Sequence, residues 1–180
     1  MSKVVIDMSM SLDGFVAGPD DGKAHPLGRH GGEHVFDWYS SGDEEYHDPL
    51  FRPAPGANRD EVERMFAESG AFIFGRRTYE ITDGWGGRHP VNGVPTFVLT
   101  HTPPADYPRG PSNLTFVTDG IESAIQQARA VARGRSMGSQ RRIATTRPSS
   151  SNSPAWRSAA RSTPARLTGN APMLRIRAAK

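Results

Sequence analysis

No cysteine occurs among the 180 residues, which excludes a disulfide framework and thiolate metal centres. No apolar run approaches the roughly 20 residues that a helix needs to cross a bilayer. The opening MSKVVIDMSM carries one Lys and places Asp7 inside its apolar run, which does not suit a signal peptide. A soluble, cytoplasmic protein without membrane contact is the expectation. Hydrophobic residues are also sparse, at 36%, beside 19 Gly and 15 Pro. That composition fits one domain with long irregular stretches better than a chain packed from end to end.

Acidic residues are missing altogether from one part of the chain. Residues 131–180 hold ten Arg, one Lys and no Asp or Glu, a net charge of +11. Residues 1–130 hold the other 11 basic residues and all 19 acids, a net charge of −8. An acidic body with a purely basic end is either a charge asymmetry with a purpose or a junction of two stretches of different origin.

What is present reads as alternating strands and helices. The β-branched run KVVIDMSM at 3–10 predicts a first strand, and SLDGFVAG continues it through an Asp-Gly turn signal. Residues 19–32 are loop by composition. Residues 33–40, EHVFDWYS, predict a short helix with Val35, Phe36 and Tyr39 on one face. In NRDEVERMFAESG, Asn58 and Glu61 have capping-box spacing, and Gly70 is placed to end the helix in a left-handed turn. AFIF at 71–74 is a buried strand, GRRTYEI opens a second helix that stops near Asp83 and Gly84, and TFVLT at 96–100 and LTFV at 114–117 are further strands. Asp119 and Glu122 fit the start of a last helix, on which Ile121, Ala124, Ile125, Ala128 and Val131 recur at helical spacing. The order argues for an α/β fold with a largely parallel sheet. After Arg133 no period of 2 or 3.6 persists, and the Arg-, Ser- and Pro-rich composition is that of a low-order tail. Residues 1–133 therefore read as the domain and 134–180 as a basic tail.

Several motifs carry chemistry, each with a plainer reading beside it. Gly75, Arg76, Arg77 and Thr78 follow a buried strand and open a helix; they can hold a phosphate, or be a tight turn with two Arg in water. Thr100 and His101 end a strand, where α/β sheets meet nucleotides, although taken alone the motif is better explained as a strand stopped by two prolines. Asp13 can relay a proton or bond a sugar hydroxyl, or belong to an ordinary Asp-Gly turn. His30 and His34 have the spacing of a helical metal pair, but Gly31 and Gly32 lie between them, so no metal site is assigned. There is no Walker loop, GxGxxG or GxSxG. The Arg-rich end can meet phosphates, but no recognition-helix pattern accompanies it and Trp156 is its only aromatic residue; nucleic acid is not the expected partner.

Four segments, KVVIDMSMSLDGFVAGPDD, GAFIFGRRTYE, VPTFVLTHTPP and LTFVTDGIESAIQQARAVA, together resemble the stand-alone dihydrofolate-reductase-like proteins. Those are similar to the reductase half of the bacterial riboflavin-biosynthesis deaminase-reductase. The resemblance covers about residues 1–133. It implies a three-layer α/β sheet with helices on both faces, incomplete here, and NADPH as hydride donor. It places Gly75, Arg76, Arg77 and Thr78 against the cofactor phosphates and Leu99, Thr100 and His101 near the adenosine. It places Ser11, Leu12, Asp13 and Gly14 toward nicotinamide and substrate, with Asp13 as the catalytic residue. It further implies a small-molecule substrate (in the riboflavin pathway, a phosphorylated ribosylaminopyrimidine reduced to its ribityl form) and a homodimer in intact members.

The chain departs from that pattern after Ala132, where family members have a second phosphate turn, a helix and further strands. A change of reading frame in the coding DNA accounts for the simultaneous loss of all acids. One base earlier, with G or C at third positions, 138–156 rewrites approximately as a small-residue turn and an amphipathic helix ending Ala-Gly-Leu. Weakened cofactor binding is then expected of this chain. The rival reading is a binding module whose basic tail engages nucleic acid or an acidic partner.

Overall fold

The computed structural model describes residues 2–91, 93–107, 112–133 and 173–177. Its centre is a five-stranded sheet of β1 (Lys3–Asp7), β2 (Ser69–Gly75), β3 (Thr96–Leu99), β4 (Leu114–Val117) and β5 (Met173–Arg177), in the order β1-β5-β2-β3-β4. β2, β3 and β4 are parallel, with Phe72 opposite Thr96 and Thr96 opposite Leu114. β5 is antiparallel to both β1 and β2. β1 therefore runs in the same direction as the three parallel strands.

β2 shows why the sheet is covered on both sides. Every residue from Ser69 to Phe74 is buried. Successive side chains point to opposite faces, so the run divides between two cores. Phe72 and Phe74 join Val62 and Met65 of α2 (Ala57–Glu68). Ala71 and Ile73 join Ala124, Ala128 and Ala132 of α4 (Ile121–Arg133). Those three alanines recur every fourth residue and are buried, so α4 lies close against the sheet along a narrow stripe.

The expected strands at 71–74, 96–100 and 114–117 and the last helix all form, with bounds shifted by a residue or two. Other expectations need correction. Residues 33–40 are a 3-10 turn (Gly32–Phe36) followed by one helical turn, α1 (Asp37–Ser40). α2 starts at Ala57 with Gly56 as its cap and no side-chain cap bond. Asn58 is thus already inside the helix, and Glu61 bonds Arg64 instead of closing a capping box. Gly70 does not end α2 in a left-handed turn; Ser69 leaves the helix in extended geometry and Gly70 is part of β2. The first strand stops at Asp7, not Met10. Met173–Arg177, assigned by composition to an irregular tail, is a strand inside the sheet. Its backbone is paired on both edges, a source of order that side-chain composition does not report. Residues 134–172 and 178–180, which carry the remainder of the basic tail and the proposed frame change, lie outside the described residues.

Candidate functional site

The carboxyl ends of β1, β2, β3 and β4 face one edge of the sheet, where open α/β sheets hold ligands. α3 (Arg76–Ile81) starts there, directly after β2. Its buried side borders one cavity and its exposed side another.

The first cavity has a volume of about 460 Å³ and a wall rich in aromatic residues, among them Trp38, Tyr39, Phe74, Trp85 and His89. Met8 and Met10, just past β1, and Met65 of α2 belong to its apolar lining. Its polar margin consists of Asp7, Ser9, Glu61 and Thr78. Ser9 Oγ accepts a bond from Trp38 Nε1 at 2.9 Å. Thr78 Oγ1 and Trp85 Nε1 are buried without a hydrogen-bond partner. An unpaired buried polar group costs about 1–3 kcal/mol, so two at one cavity mark positions that a polar ligand would satisfy.

The backbone works to place Trp85. Gly84, Trp85 and Gly86 all have left-handed dihedrals, with φ of 55°, 49° and 65°. For a bulky residue such as Trp85 this is a strained conformation. Gly84 is required twice over, because a Cβ there would also meet the Tyr79 ring at 2.5 Å. The turn sets the Trp85 indole 5.1 Å from the Phe74 ring and 4.7 Å from His89. Burial pushes the His89 imidazole down to about 3, so it is neutral at ordinary pH. Its Nδ1 accepts the Val91 N–H at 3.1 Å, which leaves the ring proton on Nε2.

The second cavity, of about 530 Å³, is lined by Lys23, Arg76 and Arg77 together with Glu80, Asp83 and Asp106. Arg77 Nη2 donates to the Asp21 carboxylate at 2.6 Å and to the Asp21 carbonyl at 2.9 Å. Arg76 Nε donates to Glu80 at 2.7 Å, and its Nη1 donates to the Thr102 carbonyl. An arriving phosphate would exchange with Asp21 and Glu80 for the two guanidinium groups.

The structure divides the residues expected from sequence. Arg76 and Arg77 line the second cavity, but Thr78 is buried and borders the first. Gly75 has extended geometry, and a Cβ there would meet nothing within 4 Å, so no close approach demands glycine. Thr100 Oγ1 donates to the Thr102 carbonyl at 3.0 Å, which ties its loop to Arg76; His101 is exposed, and Leu99 packs against the α4-side core. Leu99, Thr100 and His101 line neither cavity. Ser11, Leu12, Asp13 and Gly14 form a turn closed by the Ser11–Asp13 bond at 2.6 Å and the Phe15 N–H to Ser11 Oγ bond at 2.9 Å. Leu12 is fully exposed, and this turn also lies outside both linings.

The residues that sequence reading passed over are Asp7, Trp38, Glu61, Trp85 and His89. Asp7 did leave a signal, a carboxylate inside an apolar strand run. Trp85 and His89 left little, because a Trp between glycines and a His before a proline read as loop. Among the described residues no group of His, Asp and Glu is arranged to hold a metal ion. No helix among them is long and apolar enough to cross a membrane. No protein-family model, curated protein or solved structure matches the chain.

Proposed function

We propose that this chain is an NADPH-dependent reductase domain of the dihydrofolate-reductase-like kind. The observation that carries the reading is the position of α3 between two cavities at the carboxyl ends of the strands. Thr78 borders a cavity rich in aromatic residues, and Arg76 and Arg77 border one of mixed charge. A dinucleotide has two such ends, a planar ring and a set of phosphates. The residues present fit it: two orphaned buried polar atoms beside the ring site and two guanidinium groups at the phosphate site.

When bound, NADPH supplies the hydride; the protein supplies position and a route for a proton. The aromatic wall excludes water from the ring site. The neutral His89 adds no charge to it. Asp7 and Glu61 are the carboxylates at this cavity, each paired with an arginine; as carboxylates they can relay a proton from solvent toward a C=N or C=O group but hold none to donate, and they replace Asp13, which lies outside the lining, in that role. The substrate class suggested by the resemblance is the phosphorylated ribosylaminopyrimidine of riboflavin biosynthesis. The binding-module reading rests on the basic end, most of which is outside the described residues.

The test is a calorimetric titration of NADPH and NADH into the full chain and its Arg76→Ala and Arg77→Ala variants. Loss of a charge-assisted bond of about 1.5–3 kcal/mol predicts roughly a 10- to 150-fold weaker NADPH complex in at least one variant. A larger loss for NADPH than for NADH assigns the contact to the extra phosphate, and an equal loss assigns it to the pyrophosphate. Unchanged NADPH affinity in both variants removes the phosphate assignment.

A further inference from the structure

Among the described residues that line the first cavity there is no Lys or Arg. Its two carboxylates are already matched: Asp7 lies 2.7 Å from Arg175, and Glu61 lies 2.5 Å from Arg64. Its imidazole, His89, is buried and neutral. The wall therefore offers no spare charge of either sign. An anionic group that entered would lose its water shell beside two carboxylates and gain no cation there, a cost that an uncharged polar group does not meet. Lys23, Arg76 and Arg77 line the second cavity instead.

What the wall does offer is neutral hydrogen-bond donors. Trp85 Nε1 can only donate, and it is buried without a partner. Thr78 Oγ1, equally buried and unpartnered, can donate too. His89 accepts the Val91 N–H at Nδ1 and so carries its own proton on Nε2. All three side chains line the cavity. A carbonyl oxygen accepts from such groups and brings no charge with it. Around these donors the lining is flat or pliable, with the rings of Trp38, Tyr39 and Phe74 and the thioethers of Met8, Met10 and Met65, which suit an aromatic body. A volume of about 460 Å³ is in the range of sites that hold a small organic molecule.

We propose that the first cavity takes an uncharged aromatic carbonyl compound, one without phosphate or carboxylate, whose oxygen is received by Trp85 and Thr78. The role of that compound as the reduced substrate rests on the reductase reading; its binding rests on the lining alone. A phosphorylated ribosylaminopyrimidine does not match this lining.

Two probes with the same planar body test it: cinnamamide is uncharged, and cinnamate carries the same acceptor oxygen with a full negative charge. Each is titrated into the full chain at neutral pH without NADPH and followed by saturation-transfer difference NMR. Cinnamamide is expected to bind about tenfold or more tighter than cinnamate. Trp85→Phe keeps a ring and Thr78→Val keeps the shape, and each should weaken cinnamamide about threefold or more. Each removes an unsatisfied buried group, so the urea midpoints of both variants should hold or rise, which separates lost binding from lost folding. No binding of cinnamamide overturns the proposal, as does cinnamate binding equally well or better. Unchanged cinnamamide affinity in both variants also overturns it. Displacement of cinnamamide by NADPH would give the cavity to the nicotinamide ring alone and overturn the substrate role. Failure of NADPH to bind at all would appear in the calorimetric titration and leave the cinnamamide and cinnamate affinities as they are.

Discussion

Arg77, which lines the second cavity, meets Asp21 at 2.6 Å, and an anion bound by Arg77 would compete with this pair. Asp21 holds the guanidinium in place but also occupies the donors a phosphate needs. Asp21→Asn keeps the side-chain shape and removes the competing charge. It is expected to tighten NADPH binding by several-fold, on the scale of about 1 kcal/mol for a partly exposed pair, measured by calorimetry. Weaker binding in that variant would make Asp21 part of the site instead of its competitor. His89 gives a second test. Its pKa is about 3 in the folded protein against 6.5 for a free imidazole, so between those values the unfolded chain binds more protons. Stability should be unaffected by this group above pH 6.5 and fall below it, by up to about 1.4 kcal/mol per pH unit. Urea midpoints at pH 7 and pH 5 will show this fall, and His89→Gln, which keeps an acceptor for the Val91 N–H, should flatten it. At this scale the sequence was legible in placing Arg76 and Arg77 at the start of a helix that follows a buried strand. It was not legible where a strained turn delivers an aromatic ring, as at Trp85, because the dihedrals there do not follow from residue type.

Among the elements, those with a strong period were readable in advance. AFIF gave β2 because its side chains alternate between two apolar cores, and the alanine stripe of α4 gave a helix because only one face needs burial. α2 was readable as a helix but not at its start, where Gly56 and not a polar side chain precedes the first turn. β5 was unreadable: MLRIR carries two Arg in five residues, and what makes it a strand is backbone pairing with partners more than 90 residues away. Its buried ion pair leads to a stability prediction. Asp7→Asn alone leaves Arg175 without a counter-charge and should destabilise by up to about 3 kcal/mol, since Asp7 keeps some solvent contact. Asp7→Asn combined with Arg175→Met removes both charges and should recover most of that loss or exceed the parent. Denaturant unfolding of the two variants distinguishes these outcomes. A double variant no more stable than the single one would show that the guanidinium is well satisfied where it lies.

For the whole molecule, an acidic α/β body carries the sheet, both cavities and every acidic residue, while the basic end contributes the strand at the sheet's interior. The mixed α/β class and the three parallel strands were legible from the order of apolar runs. The placement of the first strand beside the last was not, because that pairing is long-range. The proposed function rests on how the body combines two cavities around α3, and NADPH is the ligand proposed for them. Because the sequence after Ala132 shows no second phosphate-turn motif, binding is expected to be weak, on the order of 0.1–1 mM, or about −5 kcal/mol. Saturation-transfer difference NMR detects ligands in that range and reports which protons touch the protein. Transfer to the nicotinamide ring protons of NADPH, from contact with Trp38, Trp85 and His89, is expected, with a marked loss of all transfer in Arg77→Ala. No transfer to the nicotinamide ring, or transfer that Arg77→Ala leaves unchanged, would contradict it.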